Sequence, residues 1–429
     1  MISYLRFFLF LLLALALQQC TLNDEPGGSH DPALTLQATA NLSLITLNWT
    51  PVKITGFKEY VILQSAKEIP NAPEPPVDQD VAVLTRINDV NVTTFSTTNT
   101  LFTPKSCYKL YCSADDRFLY SGTVCVDQVV TRFAGFFDKI DHDTDLDQLG
   151  MFDRLTDNLM VYDYKANSFS NSLQETNLNF PIINISGIPG DRYLFAYDQS
   201  FNTVRKYTFP GLGFINQKTI GEAIIGGKAT GSFLYMLTQS GSSGFQVLNV
   251  NTLSTVDSRL GLSGSRNLAV FEGDTITVLE IGDPNLIVYK LKSNGKILTS
   301  ETINAGISQP GLQNTCDQNA NYFIGGRFAT IINRKGEIVQ SLISGNNAFT
   351  LMSRFSPDGS KVLTIVNENN AVNLQIFDIT SLPAIPQLKS FPLPNVTYSD
   401  LFVDEDIIYV AGVDFNTGSA QTFILQFPM

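Results

Sequence analysis

Seven times between residue 161 and the C-terminus, the chain repeats one short pattern: two or more apolar residues, a polar one, then usually another apolar one. The copies are Val161-Tyr162-Asp163-Tyr164, Val204-Arg205-Lys206-Tyr207, Val247-Leu248-Asn249-Val250, Val288-Tyr289-Lys290-Leu291, Ile331-Ile332-Asn333-Arg334, Ile376-Phe377-Asp378-Ile379 and Ile424-Leu425-Gln426-Phe427. Their polar positions are 43, 43, 41, 43, 45 and 48 residues apart. Short alternating segments surround each copy. Around the third, residues 224–230, 233–239, 245–250 and 254–260 read as four strands between Gly, Ser and Asn turns. Around the fourth, residues 268–271, 275–280, 286–290 and 296–299 do the same. Asn294-Gly295 and Lys335-Gly336 supply tight hairpin turns, and Ser356-Pro357-Asp358-Gly359 separates two further strands.

A step in the forties within strand-rich, turn-rich sequence is the period of a β-propeller, one sheet per repeat. Seven copies predict a seven-bladed β-propeller of four-stranded blades over residues 129–429. The chain ends two residues past the last third-strand signature, so the last blade lacks its outer strand. Residues 131–137, entering from the N-terminal side, are the expected donor that closes the ring. The region resembles WD-repeat-like bacterial propellers in architecture, although it has no Trp-Asp dipeptide and no regularly spaced Gly-Gly pairs.

The N-terminus reads as a targeting segment. Arg6 precedes an apolar run from Phe7 to Leu17, which is signal-peptide length and shorter than the roughly 20 residues a spanning helix needs. Leu17-Gln18-Gln19-Cys20 resembles a bacterial lipoprotein cleavage site, which implies a signal peptide over 1–19 and a lipid on Cys20. Cleavage after Ala14-Leu15-Ala16, releasing a soluble protein, is the competing reading. Residues 20–32 are polar and contain Gly and Pro, as a flexible tether does. Asn23-Asp24-Glu25 resembles the acidic surface-export signal of some Gram-negative lipoproteins.

Residues 33–128 alternate differently. Ser43, Ile45, Leu47 and Trp49 share one face of a strand; residues 57–65 and 93–96 are further strands. A final hairpin pairs residues 108–112 with 123–126 around a polar turn at 113–117. Pro70, Pro73, Pro75 and Pro76 mark an irregular segment expected to cross between two sheets. Short strands around a buried Trp predict a two-sheet sandwich. Leu47-Asn48-Trp49-Thr50-Pro51, Tyr60 and Cys107-Tyr108-Lys109-Leu110 resemble a bacterial fibronectin type III domain. That resemblance implies a spacer or interaction module. The expected fold is all-β, a fibronectin type III-like sandwich followed by the propeller.

On the hairpin, Cys107 shares the outer face with Lys109 and Tyr111, while Val124 and Val126 point inward and turn Cys125 outward. A hairpin centred near residue 116 sets Cys107 opposite Cys125, which predicts a disulfide contributing on the order of 3 kcal/mol. A Cys112–Cys125 bridge would need a register slip. Cys112 and Cys316 are then small buried apolar residues.

Few groups suggest chemistry. A net charge of −12 removes nucleic acid as a partner, since phosphate binding needs a basic face. The only histidines are His30 and His142. Gly226-Gly227-Lys228 brushes against a phosphate loop but lacks its first Gly, its Ser or Thr, and its helix. Gly241-Ser242-Ser243-Gly244 and Ser263-Gly264-Ser265 do not complete a nucleophile elbow. Asp141-His142-Asp143-Thr144-Asp145-Leu146-Asp147 places oxygens at alternate positions, which suits a calcium loop, an exposed turn or the channel side of an inner strand. Its EF-hand pattern fails at Leu146 and Phe152. With Glu222 or Asp317, the same carboxylates could form an acid/base pair in the channel mouth. Tyr111 and Tyr120 are candidates for stacking on sugars. The expected protein is a non-enzymatic, monomeric binding lipoprotein of the outer membrane or cell surface, touching the membrane through its lipid alone. It has no cofactor, and its partner is a protein or glycan ligand. The alternative is a carbohydrate-binding or carbohydrate-processing surface protein.

Overall fold

The computed structural model of the chain describes residues 34–429, except 79, 99–104, 116, 138, 177, 180, 189, 199, 240–243, 262–266, 272–275, 282–284, 305–314, 318–320, 334, 336, 346 and 416–418. Cys20, His30, the expected signal segment and the tether lie outside these residues. All regular structure among the described residues is β-strand. Two compact units form: Met1–Thr39 with Thr46–Phe95 and Lys105–Asp127, and Ala40–Ile45 with Ser96–Pro104 and Gln128–Met429.

Strands β1 (Leu36–Asn41), β2 (Leu44–Trp49) and β5 (Thr94–Thr98) make one sheet in the order β1-β2-β5; β3 (Phe57–Ser65), β4 (Val81–Ile87), β6 (Lys105–Ala114), β7 (Arg117–Tyr120) and β8 (Val124–Asp127) make another. Leu47 and Trp49 are buried while Asn48 is exposed, the expected alternation. Trp49 meets the buried Tyr60 edge to face at 5.6 Å, and the Tyr60 hydroxyl accepts from Val52 N and donates to Val90 O, both at 3.2 Å. Cys107 pairs with Cys125 across β6 and β8, and the two are bonded.

Two expectations for this unit are corrected. The proline-bearing segment does not cross between sheets, because β3 and β4 are antiparallel neighbours in one sheet. It lies over the second face of β6 instead, where Lys109 Nζ donates to Pro70 O at 3.0 Å and Asn71 Oδ1 at 2.5 Å, and the Tyr111 hydroxyl to Ala72 O at 3.2 Å. Cys107, Lys109 and Tyr111 are therefore buried and not on an outer surface. Burial pushes the Lys109 ammonium below the ordinary lysine range, and three carbonyl acceptors with the Tyr120 ring 5.0 Å away replace its water shell. The final strand is also split, with β7 and β8 both pairing to β6.

In the second unit β9 (Val130–Ala134) leads into a succession of four-stranded antiparallel meanders. The first is β10 (Ile140–Asp143), β11 (Gln148–Asp153), β12 (Asn158–Asp163) and β13 (Ser168–Gln174). The second is β14 (Pro181–Ile188), β15 (Asp191–Asp198), β16 (Thr203–Thr208) and β17 (Phe214–Thr219). The third is β18 (Ile224–Ala229), β19 (Phe233–Thr238), β20 (Phe245–Asn249) and β21 (Thr255–Arg259). The fourth is β22 (Asn267–Phe271), β23 (Ile276–Ile281), β24 (Asn285–Leu291) and β25 (Ile297–Asn304). The fifth is β26 (Thr315–Cys316), β27 (Tyr322–Gly325), β28 (Thr330–Asn333) and β29 (Ile338–Ser341). The sixth is β30 (Ala348–Phe355), β31 (Lys361–Glu368), β32 (Ala371–Asp378) and β33 (Gln387–Leu393). The last is β34 (Thr397–Asp404), β35 (Ile407–Asp414) and β36 (Gln421–Pro428), with β9 as its fourth strand.

Each sheet's first strand lies against the first strand of the next, and β34 lies against β10. The arrangement is propeller-like, with cores between successive sheets. Phe152, Leu159 and Val161 pack on Leu194, Ala196 and Tyr207, and Leu149, Met151 and Tyr162 pack on Phe402, Tyr409 and Ile424. Strand β9 pairs with β36 from Leu425↔Val130 to Gln421↔Ala134, so the chain's own lead-in segment completes the last sheet.

The repeated signature is the third strand of every sheet, and where its polar residue is Asp or Asn it has a local task. Asp163 Oδ1 accepts from Lys165 N at 3.1 Å and Ala166 N at 2.6 Å; Asn249 Oδ1 accepts from Asn251 N at 2.9 Å and Thr252 N at 3.0 Å. Asn333 and Asp378 cap their turns in the same way. An Asx side chain there replaces backbone acceptors that a turn would otherwise lack. The third and fourth strands of the first six sheets then pair through a β-bulge, which twists each outer edge and discourages edge-to-edge pairing.

Candidate functional site

The acidic run of residues 141–147 forms β10 and the turn into β11, beside the junction of the first and last sheets. Asp141 points toward the second sheet, where its Oδ2 accepts from Asn184 Nδ2 and from Ile185 N, both at 2.7 Å. Asn184 in turn accepts from Ala229 N at 2.5 Å. One polar chain thus links the inner strands of three successive sheets. Asp143 Oδ1 caps its turn through Asp145 N at 3.1 Å and Leu146 N at 3.3 Å, while its Oδ2 lies 2.8 Å from Arg192 Nε. Burial raises the Asp143 carboxyl pKa against the opposing pull of Arg192. Asp145 meets the other end of the same guanidinium. Asp147 takes the left-handed conformation that ends the turn, φ 57°, and pairs with Lys165 at 2.9 Å. The alternating oxygens are shared among separate donors and cations, so they do not converge on one point.

On the other side of β10, His142 Nδ1 lies 2.8 Å from Asp400 Oδ2 on β34, and its ring stacks on Phe402 at 4.4 Å. Asp400 is wholly buried. It follows a bulge in β34 that shifts the register between Tyr398 and Asp400, a device that re-aims a side chain. Its Oδ1 accepts from Arg354 on β30 at 2.8 Å and from Leu401 N at 2.9 Å. Burial alone would raise this carboxyl, but His142 and Arg354 outweigh it and hold the pKa at about 2. Asp141 Oδ1 lies 3.9 Å from His142 Nδ1. Among the described residues, Asp141, His142 and Asp400 are the one set of His, Cys, Asp or Glu side chains whose ligand atoms all fall within 4.8 Å of each other.

The remaining candidates are dispersed. Glu222 accepts from the Thr238 hydroxyl at 2.7 Å and Asp317 from Tyr322 N at 2.8 Å, each within its own sheet and away from the residue 141 cluster. Gly226-Gly227-Lys228 lies on strand β18, so it is no loop. A Cβ on Gly227 would stand 2.4 Å from the Tyr197 ring, which explains the glycine by packing. The Tyr197 hydroxyl, wholly buried and influenced by Asp141, has no hydrogen-bond partner among the described residues. Gly241-Ser242-Ser243 and Ser263-Gly264-Ser265 lie outside the described residues, as do Gly336 and the side chain of Cys316. Tyr120 is 39% exposed, whereas Tyr111 is buried and offers no sugar platform. Arg192, Arg354, Asn184 and Asp400 belong to no motif in their own stretch of chain, so inspection of single segments misses them.

The turns joining second to third strands gather on one face of the ring of sheets. There Leu155, Phe201 and Phe415, at turns of the first, second and last sheets, are 63%, 55% and 50% exposed, and Phe349 near the start of β30 in the sixth sheet is 39% exposed. The opposite face carries charges such as Lys165 with Asp147, Asp404 and Glu405 and, at the starts of fourth strands, the exposed Phe214, Leu298 and Ile338; Asx caps occur on both faces, Asp153 and Asp198 serving second-to-third strand turns.

No protein-family model matches the chain, and no curated protein matches it. Solved structures do. Hydrazine synthase of Kuenenia stuttgartiensis is 12% identical with a TM-score of 0.53, covering 69% of this chain and 96% of that one. The RRP9 WD40 repeats are 12% identical with a TM-score of 0.54, covering 70% and 97%. The Cps50 (Swd1) β-propeller domain of Myceliophteria thermophila is 13% identical with a TM-score of 0.50, covering 69% and 99%. At such identities the likeness speaks for the fold alone, a WD40-type propeller of four-stranded sheets.

Proposed function

We propose that this protein is a non-enzymatic interaction module whose sheets form a closed seven-bladed propeller, and that its partner is a protein seated on the face of the second-to-third strand turns. The observation that carries the reading is the run of exposed apolar side chains at the second-to-third strand turns of neighbouring sheets. Charged groups beside the inner strands are committed to one another, while Leu155, Phe201, Phe349 and Phe415 stand in solvent on one face. Exposed aromatic and aliphatic side chains at neighbouring turns offer a protein partner apolar anchors. Fold alone assigns no activity; a catalytic reading would need an acid and a base converging on one space, and Glu222, Asp317 and the residue 141 cluster do not converge.

The N-terminal unit serves in this reading as a fibronectin type III-like stalk, and Cys20 as the lipid attachment point of an exported, monomeric lipoprotein at the outer membrane or cell surface. The support is the Leu17-Gln18-Gln19-Cys20 pattern after an apolar run. Loss of membrane association in a Cys20→Ala variant is the expected outcome; unchanged retention rules out the anchor. For the face, a photo-crosslinking amino acid placed at 201 or 415 in cells that make the protein should capture one common protein, while the same probe at 294 on the opposite face should not. Equal capture from both faces, or none from 201 and 415, refutes the assignment.

A further inference from the structure

We propose that Asp141, His142 and Asp400 bind a divalent transition-metal ion of the zinc class where the first sheet meets the last. The three ligand atoms are Asp141 Oδ1, His142 Nδ1 and Asp400 Oδ2, with His142 Nδ1 lying 3.9 Å and 2.8 Å from the two carboxylate oxygens. Zinc binds nitrogen and oxygen at about 2.0–2.2 Å, which sets tetrahedral ligand atoms about 3.4 Å apart. The 3.9 Å distance must close and the 2.8 Å one open by about half an ångström, and the two carboxylate oxygens, within 4.8 Å of each other, must meet the same spacing through side-chain rotation.

The surroundings are those of an oriented site. Each carboxylate has one oxygen held by protein donors and the other turned toward the imidazole. Asp141 Oδ2 is fixed by Asn184 and Ile185 N, and Asp400 Oδ1 by Arg354 and Leu401 N. Such outer partners fix the ligands of metal centres. Stacking on Phe402 fixes the imidazole plane, and the bulge before Asp400 aims its carboxylate. The Tyr197 hydroxyl adds an unused buried donor in the neighbourhood of Asp141. Two carboxylates against one guanidinium leave a negative charge when His142 is neutral, which favours a cation. One imidazole with two carboxylates suits zinc or manganese, whereas calcium prefers six to eight oxygens. The His142 side chain, 17% exposed, leaves a route of entry.

The test is calorimetric titration of the untagged, chelator-stripped full chain with ZnCl2, MnCl2 and CaCl2. The expected result is one saturable site, tighter for zinc than for manganese, with no calcium heat at equal concentration. His142→Ala should weaken zinc binding at least tenfold, and Asn184→Ala, which removes one of the two donors to Asp141 Oδ2 together with the acceptor of Ala229 N, by about tenfold. If the His142 variant does not fold, visible absorption of the cobalt-loaded wild-type chain decides. Bands of a nitrogen- and oxygen-ligated ion support the site, and an aquo-ion spectrum overturns it. Absence of saturable zinc binding, or equal affinity in His142→Ala, also overturns it and leaves His142 as a proton-bearing clasp between the carboxylates.

Discussion

Removing the Arg354 guanidinium should destabilise the ring most at the pH where Asp400 is charged. Asp400 is wholly buried between two cationic or potentially cationic partners, Arg354 and His142, each 2.8 Å away. Its carboxyl is held at about 2, against 3.8 for the same group in an unstructured chain. That depression corresponds to about 2 kcal/mol of stability. Because the folded pKa is the lower one, this contribution is fully present above about pH 4 and is lost as pH falls toward 2. Arg354→Met keeps the packed stem and removes the charge, leaving a buried carboxylate with one cation fewer. The expected loss is about 3 kcal/mol near neutrality, or about 5 °C in midpoint for a unit of this size. The variant's Asp400 titrates higher than the wild type's, so its deficit should narrow below about pH 4. Adding Asp400→Asn should restore at least half of the loss, since no uncompensated charge then remains. Urea unfolding of the four corners of this cycle, near pH 7 and near pH 3, measures both effects. An equal deficit at the two pH values, or a coupling below about 0.5 kcal/mol, would refute the reasoning.

Neighbouring glycines on β18 should behave oppositely. Gly227→Ala forces a Cβ within 2.4 Å of the buried Tyr197 ring and should cost about 2 kcal/mol, whereas Gly226→Ala, with nothing nearer than 3.7 Å, should be neutral or slightly stabilising in the same urea assay. Asp198→Ala should cost about 3 kcal/mol, because the buried carboxylate accepts from Ser200 N, Phe201 N and Asn179 N, while the more open Asn249→Ala should cost about 1 kcal/mol. Similar losses for both would contradict the distinction between buried and open caps. Reducing the Cys107–Cys125 bond, which closes a loop of sequence separation 18, should lower the stability of the N-terminal unit by about 3 kcal/mol. Non-reducing peptide mapping that finds Cys112 in a bridge would overturn the register of β6 and β8.

What the chain discloses locally and what it hides follow from where each partner lies. The third-strand signature is legible because an apolar run closed by one polar residue is a property of one hairpin that recurs at a near-constant step, and the lead-in strand β9 is legible because an apolar, strand-like stretch stands just ahead of the first sheet. The disulfide follows from facing positions in one strand pair. The second cover of β6 is hidden: a segment with Pro70, Pro73, Pro75 and Pro76 has no period from which its resting place can be read, so Lys109 and Tyr111 look exposed when they are not.

The residue 141 cluster divides along the same line. Asp141 and Asn184 are 43 residues apart, and Asn184 and Ala229 are 45 apart. The first equals the repeat's own step of 43 between those sheets, so equivalent inner-strand positions face each other, while the second exceeds the corresponding step of 43 by two. Carrying the signature's step back onto the inner strands therefore finds the Asp141–Asn184 bond from sequence, and it comes within two residues for Asn184 and Ala229 and for Arg354 and Asp400, which are 46 apart against a step of 48. His142 and Asp400 are separated by 258 residues and meet only because the ring returns to its start. No local period encodes that contact, and its existence is the physical consequence of closure. A residue pair that stabilises the ring only once it has closed is also the pair from which a ligand bound there would gain leverage over the whole circle, since a metal at His142 would tie the first sheet to the last just beside the seam that β9 completes.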